Sequence, residues 1–191
     1  MKTHIKLFII FSLFMMLLFS IKVYIENKNA NKVKELSLLY SAKSISDLLI
    51  SFRKVYQDIF IQNHISLNET TLNFLPVKTT NEIADTFSTL NSEIKIATVS
   101  SNPRNIDNLA NKRQLKAINY FKNNKEKEYL FKKEDNKYYY SKPLYINNAC
   151  LKCHGSIENA PKIIQNKYKK TAYNYKEGDL RGIIDIELQQ T

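Results

Sequence analysis

Residues 127–146 read KEYLFKKEDNKYYYSKPLYI, and this stretch fixes the kind of sheet the chain builds. Two runs of aromatic and aliphatic residues flank Glu134-Asp135-Asn136, a turn-forming trio, so the segment predicts a β-hairpin. Hairpin strands are antiparallel, and two further patterns suit the same sheet. Ile94, Ile96 and Thr98 alternate with Lys95 and Ala97, which predicts one strand. The segment GDLRGIIDIEL (178–188) alternates Ile184, Ile186 and Leu188 with Asp185 and Glu187, which predicts another.

Helical patterns surround these strands. Over 33–62, Ile45, Leu48, Phe52, Val55 and Ile59 recur at steps of three and four, widened by Leu49, Tyr56 and Phe60. This predicts a long stalk helix that becomes one wall of a domain, with the stripe packed in its core. Thr79 and Glu82 have capping-box spacing and predict a helix from there to about Leu90. SSNPRN (100–105) breaks the chain, a helix is predicted over 106–123, and Pro161 opens a short one through Tyr168. A long helix followed by strands with helices between them predicts an α+β domain with a mainly antiparallel sheet. No internal repeat and no second folded domain is read.

The N-terminal end has a different character. Lys2 and Lys6 precede an uncharged run from Leu7 to Ile21, which Val23, Tyr24 and Ile25 extend toward the roughly 20 residues that span a bilayer. The following FSIKVYIENK offers no small-residue cleavage site, so an uncleaved anchor is favoured over a removed signal peptide. Residues 1–25 are thus expected to form a single transmembrane helix and 26–191 the folded domain.

Composition excludes several classes. With 43% hydrophobic residues, 3 glycines and 4 prolines, the 191-residue chain is neither disordered nor collagen-like. Its two cysteines cannot staple a fold of this size. The net charge of +11 comes from lysines scattered along the chain with no recognition motif, so no nucleic-acid partner is expected.

Both cysteines fall in NACLKCHG (148–155), as Cys150 and Cys153, with His154 next. Cys-x-x-Cys-His is the attachment signature of c-type haem. Two thiols three residues apart on a short turn can each add to one porphyrin vinyl group, and the next residue presents an imidazole to the iron. A redox dithiol fits less well, because it belongs at a helix start after a strand in a βαβ unit. A zinc site finds only His64 beyond the motif and stays one ligand short. The favoured cofactor is one covalently attached haem c, with His154 as proximal ligand. Such attachment takes place outside the cytoplasm, so the motif and the anchor support each other. They predict a single-pass inner-membrane protein with its C-terminal domain in the periplasm.

For the opposite face of the iron, His4 and Met1, Met15 and Met16 lie in the leader or the span. His64 follows Phe60 by four residues and is the candidate distal ligand by elimination; the position is otherwise open or filled by lysine or tyrosine. Arg53, Arg104 and Arg181 are candidates for bidentate pairing with the haem propionates. Tyrosines together with Phe74, Phe87 and Phe131 are candidate pocket walls.

FLPVKT (74–79), SSNPRNIDNLAN (100–111), YYYSKPLYINNACLKCHGSIENAPKII (138–164) and YKEGDLRGIIDIEL (175–188) together resemble the c-type haem PAS-like sensor family, from about residue 35 to the C-terminus. The resemblance implies a periplasmic PAS-like domain: a long N-terminal helix, a curved antiparallel sheet and one haem in a pocket over it. It matches Cys150 and Cys153 to the thioether positions, His154 to the proximal ligand and Arg104 to the arginine of the family's Pro-Arg-Asn stretch. Members often precede a kinase, cyclase or chemoreceptor output domain. Here the chain stops after the final strand pattern, so a separate signalling or redox protein is the expected partner, and the stalk stripe allows a homodimer. Two functions follow: a redox or gas sensor, which the resemblance favours, or a small anchored electron carrier. No acid–base pair lies near the motif, so no enzymatic activity is expected.

Overall fold

The computed structural model describes residues 2–63, 65–168 and 170–189. The hairpin forms where the sequence predicts it. Strand β2 (Leu130–Glu134) pairs antiparallel with β3 (Lys137–Tyr145), from Leu130 opposite Ser141 to Glu134 opposite Lys137. Asp135 and Asn136 between them have φ of 49° and 59°. Two consecutive left-handed residues match the right-handed twist of the flanking strands, and Asp and Asn tolerate that conformation better than other non-glycine residues. Strand β4 (Leu180–Gln189) pairs antiparallel with the other edge of β3, and β1 (Ile94–Val99) with β4, giving the order β1-β4-β3-β2. The α+β expectation holds.

The register sorts the sheet into two faces. Ile96, Tyr138, Tyr140, Ile184, Ile186 and Leu188 are buried on one. Helix α1 (Lys2–Gln62) meets this face, where Lys142 of β3 forms an ion pair with Asp47. Helix α2 (Pro76–Leu90) packs beside β1, and the side-chain oxygen of Ser88 accepts from the Ile96 amide at 3.1 Å. The opposite face carries Val99 and Ile183 and is covered by Ala117, Ile118 and Phe121 of α3 (Lys112–Asn123). Each large side chain removed from water there contributes about 1.5–3 kcal/mol. Strand β4 is therefore buried on both sides. The alternation of Ile184, Ile186 and Leu188 with acids does not mark a wet face, because Asp185 is 3% exposed.

Two helix starts differ from expectation. Thr79 and Glu82 form no capping box, since both lie inside α2, which starts at Pro76. Proline suits a first helical turn because its φ is already helical and its missing N–H would have no partner there. The helix predicted over 106–123 is a short 3-10 turn at Ile106–Asn108 followed by α3, which starts only at Lys112. Asn111 Oδ1 accepts from the Gln114 amide at 3.0 Å and Gln114 Oε1 from the Asn111 amide at 2.9 Å, a reciprocal cap that sets the boundary.

The chain divides into two compact units, Met1–Tyr40 and Ser41–Thr191. In the first, the helical residues include a stretch of mean hydropathy 2.3 with no buried residue, long and apolar enough to cross a membrane. In the second, the face of α1 turned inward keeps only the edge of the predicted stripe, Leu49 and Phe60, and not its central row. Leu48, Phe52, Val55 and Ile59 are 40–58% exposed, while Ala42, Ser46 and Leu49 are buried and Arg53, Gln57 and Phe60 follow half-buried. Small residues let the helix approach the sheet closely, and the polar ones continue the same face because they border a cavity.

Candidate functional site

That cavity has a volume of about 560 Å³, within the range of small-molecule and cofactor sites. Arg53, Gln57 and Phe60 of α1 line it, with Leu72, Leu75 and Val77, strand residues Thr98, Leu144 and Gly182, and Ile164 and Tyr168 from the α5 region (Lys162–Lys167). Gly182 is required by close approach: a β-carbon there would lie 2.3 Å from the Val99 carbonyl oxygen.

The cysteine motif forms part of the wall. It is not a short turn but a seven-residue helix, α4 (Asn148–His154), directly after β3. Asn147 caps it, accepting from the Cys150 amide at 3.1 Å and from the Cys150 thiol at 3.0 Å. A strand leading into a capped helix is the local setting expected of a dithiol, although the sheet is antiparallel throughout. Cys150 and Cys153 are both free thiols, and burial pushes the Cys153 thiol up.

His154 is held by a strap running from Ala172 to Tyr175. Its Nδ1 lies 2.8 Å from the Ala172 carbonyl oxygen, its own carbonyl accepts from the Tyr175 amide at 3.0 Å, and the Gly155 carbonyl accepts from the Asn174 amide at 2.8 Å. Ala172 and Asn174 have φ of 60° and 61°, left-handed conformations that fold the strap around the histidine. A carbonyl only accepts, so Nδ1 carries the proton and Nε2 keeps its lone pair. Burial, then Arg104 and Arg181, push the imidazole down to about 3, so the ring is neutral at physiological pH.

Charge in the cavity is of one sign. Among the described lining residues, Arg53, Arg104, Arg181, Lys78, Lys152 and Lys167 are cationic and none is a carboxylate. The Arg104 guanidinium donates to the Cys153 carbonyl and, at 3.4 Å, to the Ala172 carbonyl, and it stacks 4.8 Å from the Tyr173 ring centroid. Its Nε is buried without a partner among the described residues. Arg181 donates to Ser100 Oγ at 2.7 Å. Burial pushes all three arginines down, and Arg181 adds to the fall at Arg53 and Arg104. A cavity bordered by paired thiols, a neutral imidazole with a free nitrogen lone pair, apolar walls and unneutralised guanidiniums fits a metalloporphyrin with two carboxylates.

The structure thus brings together Cys150, Cys153, His154, Arg53, Arg104 and Arg181. His64 lies outside the described residues. Phe74, Phe87 and Phe131 do not line the cavity; Phe60 and Tyr168 do. Phe74 is 55% exposed, and Phe131 stacks on Tyr138 within the hairpin, so both are occupied elsewhere. Sequence reasoning missed the Asn147 cap, whose signal was an asparagine three residues before Cys150. It also missed the strap, where Asn174 is a residue that favours positive φ but Ala172 is not one that announces it.

Fold and site define an α+β binding domain that presents a Cys-x-x-Cys-His helix to one cationic cavity. The Tll0287-like family model matches residues 28–188, and the chain belongs to that family. It is similar to the crystal structure of the cyanobacterial heme-protein Tll0287, at a TM-score of 0.68 and 20% sequence identity, covering 81% of this chain and 96% of that one. No curated protein matches the chain significantly.

Proposed function

We propose that this chain is a membrane-anchored periplasmic haem protein of PAS-like fold that carries one covalent haem c and acts as a redox or small-ligand sensor. The observation that carries the reading is the convergence of Cys150, Cys153 and His154 with three arginines on one cavity whose described lining residues include no carboxylate. The structurally similar Tll0287 is described as a heme-protein, which points the same way. In this reading Cys150 and Cys153 hold the group, His154 supplies the axial nitrogen, and Arg53, Arg104 and Arg181 neutralise its carboxylates. When bound, the group supplies a one-electron iron centre and, if a position is open, a site for a diatomic ligand. The chain's own part is to keep His154 neutral and oriented, to shield the centre with Leu72, Leu75 and Ile164, and to offset negative charge. His64 is the distal ligand we propose by elimination. The N-terminal run serves as the inner-membrane anchor, and the exposed row of Leu48, Phe52, Val55 and Ile59 suits a homodimer.

A second reading, an anchored electron carrier, draws on Lys78, Lys152 and Lys167, which would steer an acidic redox partner to the cavity. One experiment tests both. The full chain is matured in a host with haem-attachment machinery, and its mass and its oxidised, reduced and CO-treated spectra are recorded beside those of His64→Ala. The expected mass is that of the polypeptide plus one haem, and a bare polypeptide mass overturns the proposal. A large CO shift in the wild type marks the sensor, and an unchanged six-coordinate spectrum marks the carrier. Coincident spectra of the two proteins remove His64 as ligand.

A further inference from the structure

Arg104 stands apart from the other cavity arginines in what it touches. The loop that carries it is fixed by Ser100, whose amide donates to the Asn108 carbonyl and whose carbonyl accepts from the Ala110 amide, both at 3.0 Å. From there the guanidinium reaches two backbone carbonyls on either side of the histidine: Cys153, its chain neighbour, and Ala172, the acceptor of its Nδ1–H. Tyr173 and Tyr168 lie against its flat face at 4.8 and 5.6 Å, which holds the fork in place. Arg53, in contrast, makes no hydrogen bond to any described residue.

A carbonyl oxygen has two lone pairs and can accept from both donors, but density drawn toward a cation is withdrawn from the other bond. The Ala172 carbonyl cannot turn away, because its residue is 1% exposed and sits at a left-handed φ of 60°. Hydrogen bonds to the far nitrogen of a ligating histidine set its basicity, and the stronger that bond, the more electron density reaches the metal.

We propose that Arg104 is a positioning residue for His154: it shares the Ala172 carbonyl with the imidazole N–H, weakens that hydrogen bond and thereby raises the reduction potential of the centre. The potential part rests on the haem reading above; the sharing of the carbonyl does not.

The test uses the full chain, labelled with ¹⁵N at histidine, as wild type, Arg104→Leu, Arg104→Lys and Arg53→Gln. Loss of Arg104 is expected to move the His154 Nδ1–H resonance downfield as the hydrogen bond strengthens. It should also lower the equilibrium constant for reduction at least tenfold, which is about 59 mV for one electron. Arg104→Lys keeps the charge but not the fork, and should show the downfield movement with a smaller fall in potential. Arg53→Gln removes a cavity charge that does not touch Ala172, so its potential should fall while the resonance stays. The proposal is overturned if the Arg104 variants leave the resonance where Arg53→Gln leaves it, whatever happens to the potential. Should Arg104→Leu not fold, Arg104→Lys decides alone. A wild-type chain without haem sinks the functional reading, and the resonance still judges the carbonyl.

Discussion

Arg113 of α3 grips Asp185 of β4 with both arms of its guanidinium, Nη1 lying 3.0 Å from Oδ1 and Nη2 bonding Oδ2. Gln114 Nε2 donates to Oδ2 at 3.0 Å and Ser141 Oγ to Oδ1 at 2.8 Å, while the Tyr139 ring lies 3.8 Å beneath the guanidinium carbon. Burial works against the Arg113 charge, but the hydrogen bonds and charge of Asp185 hold its pKa up. This cluster fastens α3 to the central strand that also carries Arg181 and Gly182 into the cavity.

Removing one partner of a buried pair leaves the other uncompensated, at a cost of about 3–5 kcal/mol. Asp185→Ala is expected to lower the stability of the full chain by that amount in urea denaturation followed by circular dichroism. A double replacement of Arg113 and Asp185 by apolar residues of similar volume should recover much of it. A loss below about 1 kcal/mol for Asp185→Ala would mean that the cluster does not hold the layers together.

Asp47 gives the fold a small pH dependence. Hydrogen bonds from Lys142 and then Lys43 hold its carboxyl below the usual carboxylate value. A group depressed on folding stabilises at pH above its unfolded pKa, and the contribution is lost as pH falls through the folded one. Asp47 is 41% exposed, so the pair is worth under about 1 kcal/mol. Asp47→Asn should therefore be slightly less stable than wild type at pH 7, and the two should converge in acid below pH 3.8. A difference that widens on acidification would reverse the sign assigned here.

Gly182 tests the close approach of β4 to β1. Gly182→Ala puts a methyl group against the Val99 carbonyl, which neither strand can avoid without moving. The expected destabilisation is about 1–3 kcal/mol, the usual cost of overpacking, read from the thermal midpoint. An unchanged midpoint would show that the two strands can separate freely at this point.

Much of this molecule is legible without coordinates. The hairpin at Asp135-Asn136, the strand at Ile94 and the apolar N-terminal run follow from turn chemistry and periodicity, which act over a few residues. The Cys150-x-x-Cys153-His154 spacing is likewise local and visible without the fold. The start of α2 escapes such a reading because a proline three residues upstream outweighs the Thr79/Glu82 pattern, a competition between two local signals. The central row of the α1 stripe turns outward for another reason: periodicity shows a helix with an apolar face, but not which part of that face finds a partner.

The elements, the β2–β3 hairpin and the motif are written in the order of the residues, because each depends on neighbours along the chain. Folding alone brings Arg53, Arg104 and Arg181 together around His154, buries Asp185 and turns Leu48 and Val55 outward. These outcomes depend on which surfaces pack together across long separations in the chain, where charge and shape complementarity outweigh any preference encoded within one helix or strand.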